Sequence, residues 1–91
     1  VVTHVDVLPP YTDTLVKLVN TLVPTSRLEE GNANFYVWVV NGQPNHMTVV
    51  EAWKSLDALE RHWLAAHTRA FRSDLAPLNG ALYDERLYQA L

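Results

Sequence analysis

Glu51 and Trp53 stand two residues apart at the end of the apolar stretch Asn45–Trp53, and His62 and His67 follow on the next amphipathic segment. Residues two apart on a strand share a face. The carboxylate and the indole would therefore point the same way as Met47 and Val49, and a helix carrying two imidazoles would fold back over them. Histidine is the side chain whose ordinary pKa lets it both accept and donate a proton near neutrality. The chemistry these types suggest is proton transfer at the rim of a pocket between helix and sheet. A plainer reading stands beside it: His62 and His67 hydrogen-bond backbone or Glu51, Glu51 pairs with Arg72, Arg86 or a His, and Trp53 and Trp63 are core. Periodicity alone favours the plainer reading.

Metal binding is not favoured by the spacing. A helix turns about 100° per residue, and the apolar stripe Leu56, Leu59, Trp63, Ala66 and Ala70 marks the side that meets the sheet. His62 falls roughly 80° to one side of that stripe and His67 roughly 60° to the other, so the imidazoles diverge by about 140°. Zinc-binding helices place their ligands at i, i+4 instead. His4 and His46 lie near strand starts and carry no further signal. No nucleophile elbow and no glycine-rich phosphate loop is present.

The elements that must position these residues follow from the pattern. Val1–Leu8 is Val-rich and alternates loosely, as a strand does. Pro9-Pro10 ends it, and Pro10 suits a helix's first turn. Leu15, Leu18, Val19 and Leu22 recur at i, i+3, i+4, i+7, one face of a helix. Pro24 has no N–H for the carbonyl of Asn20, so a kink or an end is expected near Val23, with Gly31 stopping any continuation. Ala33–Val40 is β-branched and aromatic, a strand. Asn41-Gly42 turns the chain, Pro44 delays the return, and His46–Trp53 completes a hairpin. Ser55 can cap a helix whose first turn holds Asp57. Pro77 and Gly80 close the helical region, and Leu82–Tyr88 reads as a last strand.

The order β-α-β-β-α-β is that of a ferredoxin-like α+β fold: a four-stranded antiparallel sheet with both helices on one face. Ninety-one residues make one domain, residues 1–91, which buries only about 60–65% of its unfolded surface. Yet 48% of the residues are hydrophobic, and both sheet faces are apolar: Phe35, Val37 and Val39 on one, Tyr36, Trp38 and Val40 on the other. Two helices cannot cover both. The uncovered face is expected to meet a second copy across a two-fold axis, leaving a small enclosed chamber in each subunit. A net charge of −3 without a basic cluster argues against nucleic acid. The longest apolar run, Phe35–Val40, is far short of the ~20 residues of a membrane span. The absence of cysteine and of a secretory signal pattern fits a cytoplasmic protein.

From Glu30-Gly31 to Leu87 the chain resembles the antibiotic biosynthesis monooxygenase family. The pattern is carried by Glu30-Gly31 before the second strand, Phe35, Glu51-Ala52-Trp53, and His62 and His67 with four residues between them, ahead of Phe71. Leu82–Tyr88 looks like the quinol-oxidising branch. The resemblance implies a dimeric α+β barrel and oxygenation of quinols or polyketide anthrones without flavin, haem or metal. It would make His62 the base or the anchor of a substrate oxygen, with Glu51 orienting an imidazole. Trp53, Phe35 and Phe71 would line the pocket and His67 would stand near its mouth. Where the family often has Tyr, this chain has Phe35, and Tyr36 points the other way, so no role resting on that hydroxyl carries over. Three alternatives stand: a haem-degrading monooxygenase using Trp53 and His62, which lacks the Asn that branch has in its first strand; a dimeric small-molecule binder without catalysis; and an isomerase or cyclase.

Overall fold

The computed structural model describes residues 1–91. The strands are β1 (Val2–Asp6), β2 (Asn32–Val40), β3 (Gln43–Trp53) and β4 (Asp84–Arg86); the α-helices are α1 (Thr12–Arg27), α2 (Leu56–Leu64) and α3 (Ala66–Leu75). The sheet order is β2-β3-β1-β4, antiparallel throughout. This is the ferredoxin-like α+β arrangement, with β3 and β1 at its centre.

The register explains which face is which. Phe35 pairs with Glu51, Val37 with Val49 and Val39 with Met47, while Val5 opposes Met47 and Thr3 opposes Val49 on the other side of β3. These residues share one face. Against it α1 presents Leu15, Val19 and Leu22, and α3 presents Phe71 and Leu75, forming one core cluster. Each large apolar side chain so buried contributes about 1.5–3 kcal/mol of transfer free energy.

Several boundaries differ from expectation. Of the two outcomes expected at Pro24, a kink or an end, the end does not occur: the first helix runs through Pro24 to Arg27, because Leu22 and Ser26 are both buried beneath it and packing outweighs one lost hydrogen bond. Pro44 does not delay β3, which begins at Gln43; the pairing with β2 shifts register between Val39 and Val40, and such a bulge tolerates a residue without an N–H. The last strand is three residues, Asp84–Arg86, not seven. The largest difference is in the second helical region. It breaks at Ala65, whose φ of −63° and ψ of 143° are extended, dividing the expected single helix into α2 and α3.

That break replaces the expected stripe. Leu56 is exposed, as are Ala66 and Ala70, and Trp63 is only partly buried. The inward residues are instead Ala58, Leu59 and His62 on α2 and Thr68, Phe71 and Leu75 on α3. Ser55 caps α2 as expected, its side chain accepting the Ala58 N–H at 3.1 Å, which stabilises a helix by ~1 kcal/mol.

Candidate active site

The site begins where α1 ends. Leu15, Val19, Leu22 and Ser26 form the buried stripe of that helix, and Glu29 continues the same spacing one turn beyond. Two bonds to the Phe35 carbonyl, from Arg27 Nε at 3.0 Å and Nη2 at 2.8 Å, tie the helix end to β2. Gly31, at φ +86°, then turns the chain into β2. A Cβ there would meet Ala58 Cβ at 2.5 Å, so only glycine lets this turn lie against the start of α2.

The outcome is a buried imidazole between two carboxylates. His62 is 3% exposed. Its Nδ1 lies 2.5 Å from Glu29 Oε2, and its Nε2 lies 3.6 Å from Glu51 Oε1. Glu29 Oε2 also contacts His67 Nε2 at 3.0 Å. An ionised carboxylate only accepts hydrogen bonds, so we assign protons to His62 Nδ1 and His67 Nε2 on that network. Thr68 Oγ1, at 3.2 Å from His62 Nδ1, is the weaker of the two partners there. With its proton on Nδ1, His62 keeps a lone pair on Nε2, the nitrogen 3.6 Å from Glu51 Oε1.

Glu51 does not pair with Arg72 or Arg86, two of the partners considered for it. Arg72 binds Glu85 at 2.8 Å and Arg86 binds Asp84 at 3.2 Å. Glu51 Oε1 instead accepts the Trp53 indole N–H at 2.9 Å. Burial pushes the Glu51 carboxyl above the usual carboxylate range, and the Glu85 charge adds to this; the Trp53 bond and the proximity of His62 oppose it. The Trp53 ring lies 4.6 Å from the His62 ring at a 30° tilt, and Phe35 meets it edge-on at 5.7 Å. The imidazole is thus held by hydrogen bonds at Nδ1 alone and packed between the Trp53 and Phe35 rings.

Beside it is a cavity lined by Phe35, Glu51, His62, Phe71, Arg72 and Tyr83, among others, with ≈ 10 Å³ open to the centre of a water-sized molecule. That is about the space one water needs, far below the chamber that an aromatic substrate would fill. Larger hollows lie on the surface, ≈ 420 Å³ along α1 and β2 and ≈ 690 Å³ on the outer side of α3, but neither touches the His and Glu cluster. Of the residues expected at the site, His62, Glu51, Phe35 and Phe71 converge on the small cavity. Trp53 supports it from behind, and His67 is drawn to Glu29 and does not line it.

Glu29 is the residue that sequence reasoning passed over, having taken Glu30 with Gly31; Glu30 is exposed. Its spacing from Leu15, Val19, Leu22 and Ser26 was the available signal. The divergence of about 140° expected for the two imidazoles is also corrected: the extended Ala65 re-aims α3, and both rings reach one carboxylate oxygen.

The sequence pattern of antibiotic biosynthesis monooxygenases matches residues 1–74. YcnE from Bacillus subtilis, whose name assigns it to the monooxygenases, is 31% identical over 68 residues, 75% of this chain and 72% of that one. The chain belongs to the antibiotic biosynthesis monooxygenase family. Two solved structures agree in fold: one from Nitrosomonas europaea named for this family, with a TM-score of 0.93 at 20% identity over 99% of this chain and 95% of that one, and Rv0793 from Mycobacterium tuberculosis, with a TM-score of 0.85 at 17% identity over the same shares. The match in fold covers all four strands, and the family match includes every residue of the Glu29, His62 and Glu51 cluster. No helix is long and apolar enough to cross a membrane.

Proposed function

We propose that the chain is a cofactor-independent monooxygenase of quinol- or anthrone-like substrates, with His62 as its base. One observation carries this reading: Glu29 holds Nδ1 of a buried imidazole, leaving Nε2 towards Glu51, which lines the cavity with it. A positioned base of this kind contributes typically 10²–10⁴-fold to a rate, as an order of magnitude. Glu29 is a positioning residue, fixing the tautomer as the carboxylate of a hydrolase triad does. Glu51, with its carboxyl pushed up by burial, is suited to exchange a proton with Nε2.

The reaction needs no external reductant. Nε2 takes the acidic proton of the bound quinol or anthrone, and the resulting anion passes one electron to dioxygen. The two radicals combine to a carbon–oxygen bond, forming a peroxide on the ring. Breaking its O–O bond leaves one oxygen in the product and releases the other as water. Overall, quinol plus O₂ gives hydroxyquinone plus H₂O, and the substrate supplies all the electrons. The protein's part is a base, an orientation and the exclusion of water.

An aromatic ring reaches His62 only if the cavity opens. Tyr83 is the wall we propose to move: it is 38% exposed, and only a surface hydrogen bond to Glu85 at 3.3 Å and the Arg72 guanidinium 5.8 Å from its ring centre hold it. Substrate enters by displacing its ring. We further propose a homodimer that joins the uncovered sheet faces, where Trp38 is 61% exposed and Tyr36 and Val40 stand beside it. The deciding experiment is oxygen uptake by the purified chain with a panel of hydroquinones and anthrones. Saturable uptake that His62→Ala abolishes supports the reading; uptake at the buffer rate for the whole panel overturns it in favour of a binder or an isomerase.

A further inference from the structure

Glu29, His62 and His67 reach one point from three elements: the end of α1, α2 and α3. Their candidate ligand atoms all lie within 4.8 Å of one another. Two imidazoles and one carboxylate are a set that zinc accepts, with further positions open to solvent. Glu29 and His67 are partly exposed, with side-chain accessibilities of 17% and 20%, so an ion has a path in. An independent feature points the same way. Metal-binding histidines are characteristically backed at their other ring nitrogen by a carboxylate, and His62 Nε2 faces Glu51 Oε1 at 3.6 Å. Glu51 is itself fixed by the Trp53 N–H, so that backing group is rigid.

We propose that Glu29, His62 and His67 form a binding site for a divalent cation of the zinc class, and that the bound cation switches the proposed base off. Coordination takes the Nδ1 lone pair of His62 and displaces its proton. Neutral imidazole then carries its proton on Nε2, donated towards Glu51, and has no lone pair left to accept one from substrate. The same three side chains serve two exclusive states: metal-free with Nε2 basic, or metal-bound with Nε2 blocked. The inhibitory half rests on His62 acting as the base; the binding half does not.

The test uses the tag-free chain, stripped with a chelator. Cobalt(II) is followed by visible absorption, and zinc by competition with a chromophoric chelator. We expect one ion per chain with a dissociation constant in the micromolar range or tighter. Glu29→Gln and His67→Asn should each weaken binding at least ~10-fold, while His46→Asn, in a separate pair with Asp6 at 2.7 Å, should leave it unchanged. Melting temperatures of both variants establish that they fold. Absence of saturable uptake at a large excess of zinc, or equal affinity in His67→Asn and Glu29→Gln, overturns the site. If zinc binds as expected but leaves oxygen uptake unchanged, the inhibitory half is wrong. If no oxygen uptake is found under any condition, the function falls and the metal site stands on its own titration.

Discussion

Replacing Gly31 by Ala should cost far more than replacing Gly42, although both glycines have positive φ, 86° and 77°. Each variant forces an L-residue into the left-handed region, at about 1–2 kcal/mol. At Gly42 nothing lies within 4 Å of the added Cβ, so the conformational cost is the whole cost. At Gly31 the new Cβ comes within 2.5 Å of Ala58 Cβ, an atom fixed to the first turn of α2. Overpacking of this kind adds about 1–3 kcal/mol, giving a total of about 2–5 kcal/mol for Gly31→Ala. A domain of this size has only about 5–15 kcal/mol to lose. Urea unfolding followed by far-UV circular dichroism reads both values, with an unchanged slope confirming that only stability moved. The strain is relieved by pushing α2 away from the turn, which carries His62 away from Glu29, so Gly31→Ala should also lose oxygen uptake while Gly42→Ala keeps it. Equal destabilisation of the two variants, or a loss below ~1 kcal/mol at Gly31, would refute the packing argument.

Three further outcomes are expected. Glu51→Gln, measured in chelator, should be more stable than the parent at neutral pH. The folded carboxyl is raised above its unfolded value, so the native state holds its proton longer, and its contribution to stability falls as pH rises from the usual carboxylate range through the raised value. Gln lacks that loss and still accepts the Trp53 N–H; parallel stability–pH curves for the two proteins would contradict this. If the proposed dimer forms, Trp38→Glu should convert it to a folded monomer in light scattering, since it places a charge in the joint face; a dimer that persists in the variant would remove that face from the interface. Tyr83→Ala should raise kcat/KM for bulky anthrones by several-fold relative to small hydroquinones; an unchanged ratio would mean that Tyr83 does not guard the cavity.

Much of the architecture could be read from local pattern because local and tertiary preferences agree there. The hairpin of β2 and β3 is β-branched and aromatic on both sides of Asn41-Gly42, and its two apolar faces announce one covered side and one bare side. The site was less legible because there the two preferences conflict. Alanine is the best helix former, so nothing at Ala65 announces a break. It arises because Ala58, Leu59 and His62 must face the same core as Thr68, Phe71 and Leu75, and an unbroken helix cannot do this. Reading one helix there sent the imidazoles apart and hid their shared carboxylate. Pro24 misled in the opposite sense, since a strong local breaker is overridden by the burial of Leu22 and Ser26. Glu29 escaped notice because the local motif pointed to Glu30, whereas only the long stripe of α1 points to Glu29. The size of the cavity had no signature in sequence, because its walls come from residues far apart in the chain, Thr3, Phe35, Phe71 and Tyr83 among them.

The central claim is that Glu29 fixes His62 with its proton on Nδ1 and its lone pair on Nε2. Long-range proton–nitrogen NMR of the ¹⁵N-histidine-labelled, metal-free protein at neutral pH measures this directly. The expected result is a His62 ring with a protonated, hydrogen-bonded Nδ1 and a bare Nε2, and a loss of that preference in Glu29→Gln. A ring protonated on Nε2 alone, in the parent protein, would contradict it.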